Sequence, residues 1–174
     1  MKKLLAVSGL ALAVSAAQAV EQPYIGVAVS QPTFSDDGGG DASPTVAQLR
    51  FGTNFSKRLG MQATVSVNAG DATLTQPGPV EFDFTVDSMY TLGATVRLPL
   101  GEKAAIYGQL GYSYAQLTAS NATFTSEDNL DGLTYGAGVV FPVFSGWLLD
   151  VDYTSYLNGA DTLGGLGIGL RKPL

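Results

Sequence analysis

Between Met89 and Leu117 the chain changes sides at every residue. Tyr90, Leu92, Ala94, Val96 and Leu98 fall on one face, and Met89, Thr91, Gly93, Thr95 and Arg97 on the other. After a Gly-containing turn near Pro99 to Lys103 the alternation resumes, with Ile106, Gly108, Leu110, Tyr112 and Tyr114 opposed to Tyr107, Gln109, Gly111, Ser113 and Ala115. Successive strand residues point to opposite faces, so this stretch reads as a β-hairpin. One face is apolar. The other is small and polar with a single Arg, whereas the solvated face of a soluble sandwich is usually rich in Lys, Glu and Thr. A face this poor in charge suits the crowded interior of a narrow barrel, with the apolar face turned to lipid.

The same period runs through the rest of the chain. Ile25, Val27 and Val29 alternate with Tyr24, Gly26, Ala28 and Ser30, and Ala47, Leu49, Phe51, Thr53 and Phe55 with Gln48, Arg50, Gly52, Asn54 and Ser56. Met61 to Asn68 gives a third strand and the hairpin above a fourth and fifth. Tyr135 to Val143, Leu149 to Thr154 and Gly165 to Arg171 complete eight. Turns near 56–60, 99–103 and 144–147 are short. Connections over 35–44, 70–83 and 118–131 are long, and the one around 158–161 is intermediate. Strands of about 9–11 residues match a tilted membrane crossing. The fold class expected is all-β, a closed eight-stranded antiparallel up-and-down transmembrane β-barrel with short periplasmic turns and longer extracellular loops.

Met1 to Ala19 reads as a cleaved signal peptide: Lys2 and Lys3, an apolar run over Leu4 to Val14, then Ala17-Gln18-Ala19 as a small-x-small cleavage site. The run is too short to span a bilayer. Residues 20–174 are then one barrel domain, exported to a bacterial outer membrane. With Cys 0 there are no disulfides or thiolate metal sites, and His 0 removes the commonest general base and metal ligand. Beyond residue 19 the charge is 7 − 15 = −8, with no basic stripe, so nucleic acid is not an expected partner. Low charge, 22 Gly and no apolar run long enough for a spanning helix leave a closed sheet as the membrane solution.

The hairpin motif AIYGQLGYSYAQL (Ala105 to Leu117), the stretch YGAGVVF (Tyr135 to Phe141) and the ending GLGIGL (Gly165 to Leu170) resemble the small eight-stranded outer-membrane barrel family, to which OmpX and the membrane domain of OmpA belong. The resemblance spans the chain beyond the signal peptide and implies architecture rather than a particular activity. One departure is plain. The family's last strand usually finishes on an aromatic residue, whereas this chain ends Arg171-Lys172-Pro173-Leu174.

Candidate site residues fall in three groups. Arg50, Arg97, Arg171, Asp150 and Asp152 face inward, with Arg97, Asp150 and Arg171 nearer the short turns. An unpaired charge in a filled lumen is costly, so a paired network is expected, including an Asp150–Arg171 pair. That network reads as a plug fixing register or as a gated polar path. Phe55, Phe141 and Trp147 beside the short turns, and Tyr90, Tyr112, Tyr114, Tyr135 and Tyr153 toward the long loops, read as two aromatic belts. Asp36, Asp37, Asp41, Glu81, Asp83, Glu127 and Asp128 read as acidic surface loops, either a solvated rim or a divalent-cation contact with lipopolysaccharide phosphates. Asp36 to Asp41 lacks the alternating spacing of a calcium loop, so no metal site is assigned and no cofactor is expected. Leu74, Val80, Phe82, Phe84, Phe124 and Leu130 read as a sticky extension, as strand ends, or as the lining for a small hydrophobic ligand. Asp150 and Asp152 have a spacing open to a carboxylate pair, but arginines nearby and the lack of histidine argue against an enzyme. The expected role is a monomeric structural or surface-interaction barrel in contact with outer-membrane lipid, lipopolysaccharide and some extracellular partner. The alternative is a channel for small solutes or small hydrophobic molecules.

Overall fold

The computed structural model describes residues 22–35, 41–75, 81–101, 103–120, 123–158 and 161–174. The expected signal peptide and the acids Asp36 and Asp37 lie outside them. The described residues form ten strands: β1 (Gln22–Ser35), β2 (Asp41–Ala42), β3 (Thr45–Asn54), β4 (Leu59–Gly70), β5 (Ala72–Thr75), β6 (Glu81–Pro99), β7 (Ala105–Ser120), β8 (Thr125–Phe144), β9 (Trp147–Asn158) and β10 (Asp161–Pro173). Eight are staves, in the order β1-β3-β4-β6-β7-β8-β9-β10, and β10 pairs back onto β1, so the sheet closes. The short β2 and β5 pair with β1 and β6 at the long-loop end.

The register fixes the shape. Following cross-strand partners from Ile25 leads through Phe51, Ala63, Leu92, Tyr112, Leu133 and Leu157 to Thr162, whereas Ile25 itself faces Lys172. Positions 172 and 162 lie ten residues apart on one strand. Eight strands with that stagger, spaced ~4.8 Å and rising ~3.4 Å per residue, tilt by about 41° around a radius of about 8 Å. Such a tube has room for side chains and little else.

The faces divide as the alternation predicts. Leu92, Val139 and Ile168 are 43%, 38% and 57% exposed on the outer wall, while Thr95 inside is only 4% exposed. Large apolar side chains cover the outer wall, including Val27, Phe51, Val96, Leu110 and Leu166. This is stable in lipid and would not be in water. The β8–β9 turn is a two-residue hairpin loop with Ser145 and Gly146 at positive φ (30° and 81°), as the right-handed strand twist favours.

Two expectations are corrected. Residues 118–131 are not a long loop: β7 runs to Ser120, β8 restarts at Thr125, and their ladder pairs Ser120 with Thr125 through Ala115 with Leu130. Leu117, Ala119 and Leu130 point toward a common apolar cluster, so continued pairing buries them. Most of the acids assigned to loops therefore stand on strands: Asp41 on β2, Glu81 and Asp83 on β6, Glu127 and Asp128 on β8. The interior is also not polar throughout. Toward the long loops it holds Ala42, Val46, Phe84, Val86, Met89, Ala115 and Leu117, with Phe34 stacked on Phe84 at 5.0 Å. A small hydrophobic core caps the lumen there.

Candidate functional site

The half of the lumen nearer the short turns is built around Asp150, a carboxylate only 1% exposed. Alternation on β9 turns Asp150, Asp152 and Thr154 inward, and the same rule turns Arg50 inward from β3 and Arg171 from β10. Arg50 Nη1 donates to Asp150 Oδ2 at 2.6 Å and lies 2.8 Å from Asp152 Oδ1. Arg171 Nε donates to the same Asp150 oxygen at 2.6 Å, and its Nη2 also lies 2.6 Å from it. The Arg171 Nη2 and Asp152 Oδ1 contacts are too bent to be hydrogen bonds and act as Coulomb contacts. Two guanidiniums thus face two carboxylates, and the buried set is neutral.

Polar side chains extend this set across the tube. Tyr107 Oη donates to Asp150 Oδ1 at 2.9 Å, and Arg50 donates to Gln48 Oε1 through Nη2 at 2.5 Å and Nε at 3.1 Å. Tyr24 Oη donates to Gln62 Oε1 at 2.8 Å, Gln62 Nε2 reaches Gln109 Oε1 at 3.4 Å, and Gln109 Nε2 donates to Thr154 Oγ1 at 2.8 Å. Thr154 Oγ1 then donates to Asp152 Oδ2 at 3.0 Å. The Arg171 guanidinium lies between two rings, 4.8 Å from the centroid of Tyr24 and 4.6 Å from that of Tyr107. The chain of contacts closes on itself around the lumen.

Glycines on the inner face make the room. A methyl group at Gly52 would lie 2.1 Å from Tyr24 Cζ, and one at Gly138 would lie 2.7 Å from Tyr107 Cζ. At Gly167 it would meet Asp152 Oδ1 at 2.8 Å and Arg50 Nη2 at 3.0 Å. Each ring lies across its cross-strand glycine, Tyr24 opposite Gly52 and Tyr107 opposite Gly138.

Of the five inward charges, four meet: Arg50, Asp150, Asp152 and Arg171. Arg97 does not join them. It is half-buried opposite Tyr107, its backbone N–H donates to the Arg58 carbonyl at 2.7 Å, and among the described residues no carboxylate pairs with it. Tyr24, Tyr107, Gln48, Gln62 and Gln109 carry the network as much as the charges do, yet a charge-led reading passes over them. The signal was there: Tyr24 and Tyr107 are bulky rings on a face otherwise kept small.

The aromatic side chains Phe55, Tyr90, Tyr112, Tyr114, Tyr135, Phe141 and Tyr153 are exposed on the outer wall, and Trp147 is half-buried, 6.4 Å from Phe144. Tyr90 stands opposite Tyr114, and their hairpin is tied to the β8 extension by Tyr112 to Asp131 and by Tyr114 Oη to Asn129 Oδ1 at 2.7 Å. Phe84 and Leu130 belong to the capping core, whereas Phe124 is exposed.

A closed tube with an apolar outer wall and a buried charge network inside narrows the comparison. A model of the outer membrane protein beta-barrel domain matches residues 4–170. The chain belongs to that outer-membrane barrel family. No curated protein matches it in sequence. Among solved structures, this outer-membrane barrel is similar to Ail, the attachment invasion locus protein of Yersinia pestis. The two are 18% identical, with a TM-score of 0.65 over 88% of this chain and 98% of that one. It is also similar to Neisserial surface protein A, at 15% identity and a TM-score of 0.66, over 86% of this chain and 96% of that one. OprG from Pseudomonas aeruginosa gives 14% identity and a TM-score of 0.62, over 89% and 97% of the two chains. At these identities the likeness is one of fold.

Proposed function

We propose that this outer-membrane barrel is plugged, and that it works through its surface rather than as a conduit. The observation that carries this is the neutral Arg50–Asp150–Arg171–Asp152 set bridged by Tyr24, Tyr107 and three glutamines, with the Phe84–Met89 core above it. A solute would have to part ion pairs that are stronger in a low-dielectric lumen than in water, and then cross a packed apolar layer. The short turns face the periplasm after export through the signal peptide. The aromatic groups sit at the two headgroup levels, and the acidic strand extensions stand outside the cell.

The partner at the outer end is cationic. By sequence the long-loop segments 31–46, 70–87, 118–132 and 158–163 contain no Lys or Arg. Ail has been seen in complex with the heparin analogue sucrose octasulfate. A polyanion of that kind would be repelled by an end this acidic. No catalytic role is proposed, since both inward carboxylates are committed to guanidiniums.

Planar-bilayer recording on the purified protein tests the reading. A plugged barrel gives no reproducible conductance steps. Steady open-channel steps that change on Arg50→Ala or Asp150→Ala would overturn it in favour of a solute channel.

A further inference from the structure

Among the described residues cations are scarce, and all but one lie at one end. Beyond residue 19 there are seven Lys and Arg, and only Arg50 lies away from the short turns. Arg171 is neutralised by Asp150. The other five are Lys57 and Arg58 in the β3–β4 turn, Arg97 at the end of β6, Lys103 in the β6–β7 turn, and Lys172 at the end of β10. By sequence, two acids, Glu21 and Glu102, belong to the same end. The opposite end has eleven: three in 36–41, four in 71–87, three in 127–131, and Asp161. A protein that is net acidic thus carries a basic ring at its short-turn rim.

Three observations say what that ring meets. Lys57, Arg58, Lys103 and Lys172 are all exposed. They sit at three separated places around the closed stave order, at β3–β4, β6–β7 and β10, so they form a ring and not a patch. They also share their level with the outward aromatics of that end, and Lys172 Nζ lies 5.7 Å from the centroid of the Trp147 ring. A ligand that surrounds the barrel at the level of its interfacial aromatics is the headgroup layer of a leaflet, and its charge must be negative.

We propose that the short-turn rim is a docking ring for anionic phospholipid headgroups, gathered around the barrel by Lys57, Arg58, Lys103 and Lys172. The ring holds a phosphodiester oxygen beside each ammonium or guanidinium, while Trp147 and Phe144 sit against the acyl–headgroup boundary. The acidic far end repels the same lipids. The barrel therefore sorts lipid between its two ends as well as crossing the membrane.

Trp147 is the single tryptophan, and it lies in the ring, so it reports the lipid there. The chain from Val20 onward is refolded into vesicles of equimolar phosphatidylcholine and phosphatidylglycerol, with one lipid at a time brominated near the headgroup. Quenching of Trp147 then gives the relative affinity. The vesicles are symmetric, so the result does not depend on which way the barrel inserts or on whether its lumen conducts. The expected preference for phosphatidylglycerol is about fivefold, the factor for one cation near an anionic surface. It should vanish in Lys172→Gln and collapse in ~1 M salt, where the Debye length is about 3 Å. Mobility on unheated detergent gels confirms that each variant is folded. Equal quenching by the two lipids at low salt overturns the proposal. So does a preference that survives Lys57→Gln, Arg58→Gln, Lys103→Gln and Lys172→Gln together. Equal quenching combined with Lys-dependent co-sedimentation with purified cell-wall polymer also overturns it, and would make that polymer the partner.

Discussion

Replacing Asp150 with alanine should be the most damaging single change to the charge network. Its Oδ2 takes hydrogen bonds from Arg50 Nη1 and Arg171 Nε, both at 2.6 Å, and its Oδ1 takes one from Tyr107 at 2.9 Å. Without it, Arg50 keeps Asp152 at 2.8 Å and Gln48, but Arg171 keeps only the Tyr24 and Tyr107 rings. One guanidinium, 5% exposed, is left without an anion. Stranding a buried charge costs about 3–5 kcal/mol. Asp152→Ala leaves both guanidiniums touching Asp150, with one positive charge in excess, and should cost less, about 1–2 kcal/mol, for the lost ion contact with Arg50 and the single hydrogen bond from Thr154. The double variant Asp150→Leu with Arg171→Met removes both members of a pair. Well-packed apolar replacements of buried pairs are often neutral, so it should recover most of the loss. Urea titration of the protein folded in vesicles, followed by Trp147 fluorescence, measures all three together with the singles Asp150→Leu and Arg171→Met. The reasoning fails if Asp150→Ala costs under ~1 kcal/mol, or if the double variant is as unstable as the sum of its singles.

Gly167→Ala places a methyl group 2.8 Å from Asp152 Oδ1 and should cost about 1–3 kcal/mol by the same titration, whereas Gly108→Ala, whose nearest neighbour would be Gly136 O at 3.8 Å, should cost within about 0.5 kcal/mol. Met89→Ala, in the capping core at 1% exposure, should cost about 2–5 kcal/mol from lost burial and the cavity left behind. Glu127→Gln and Asp128→Asn are exposed on the β8 extension and should shift stability by no more than about 0.5 kcal/mol, while weakening retention on a cationic resin.

The fold was legible because period-two alternation is the one signal a lipid-coated barrel cannot do without. A one-residue slip would turn Thr91 beside Leu92, or Arg171 beside Leu170, into hydrocarbon, so every stave had to declare its faces. The inward charges were legible for the same reason: Arg50, Asp150, Asp152 and Arg171 follow from parity alone. That Arg50 would cross the lumen to β9 was not. β3 and β9 are separated in the sheet by β1 and β10, and only closure with a ten-residue stagger brings them face to face. The long-loop half departs from its sequence pattern for a physical cause. Residues 118–131 are rich in Ser, Thr, Asn and Asp, which usually mark loops, and tertiary burial of Leu117, Ala119 and Leu130 overrides that composition.

The charge network also lies where the barrel is most exposed to error. β10 is the last stave in the chain and β1 the first, and they meet only when the tube shuts. The ion pairs run from β3 across that seam to β9, and Arg171 of the closing strand joins them at Asp150. A one-residue slip of β10 against β9 would turn Arg171 out to lipid and bring Leu170 inside, leaving Asp150 with one guanidinium and moving a cation into hydrocarbon. A two-residue slip keeps parity but carries Arg171 about 7 Å along the strand, out of reach of Asp150 and of the Tyr24–Tyr107 cage. Apolar packing alone tolerates the two-residue slip, because the outer face of β10 offers Leu166, Ile168 and Leu170 at equal spacing to a fluid solvent. Directional ion pairs do not. The seam therefore takes its register from the buried charges, while the apolar cap at the far end, built from Val46, Phe84, Val86, Met89 and Leu117, supplies burial without specifying register.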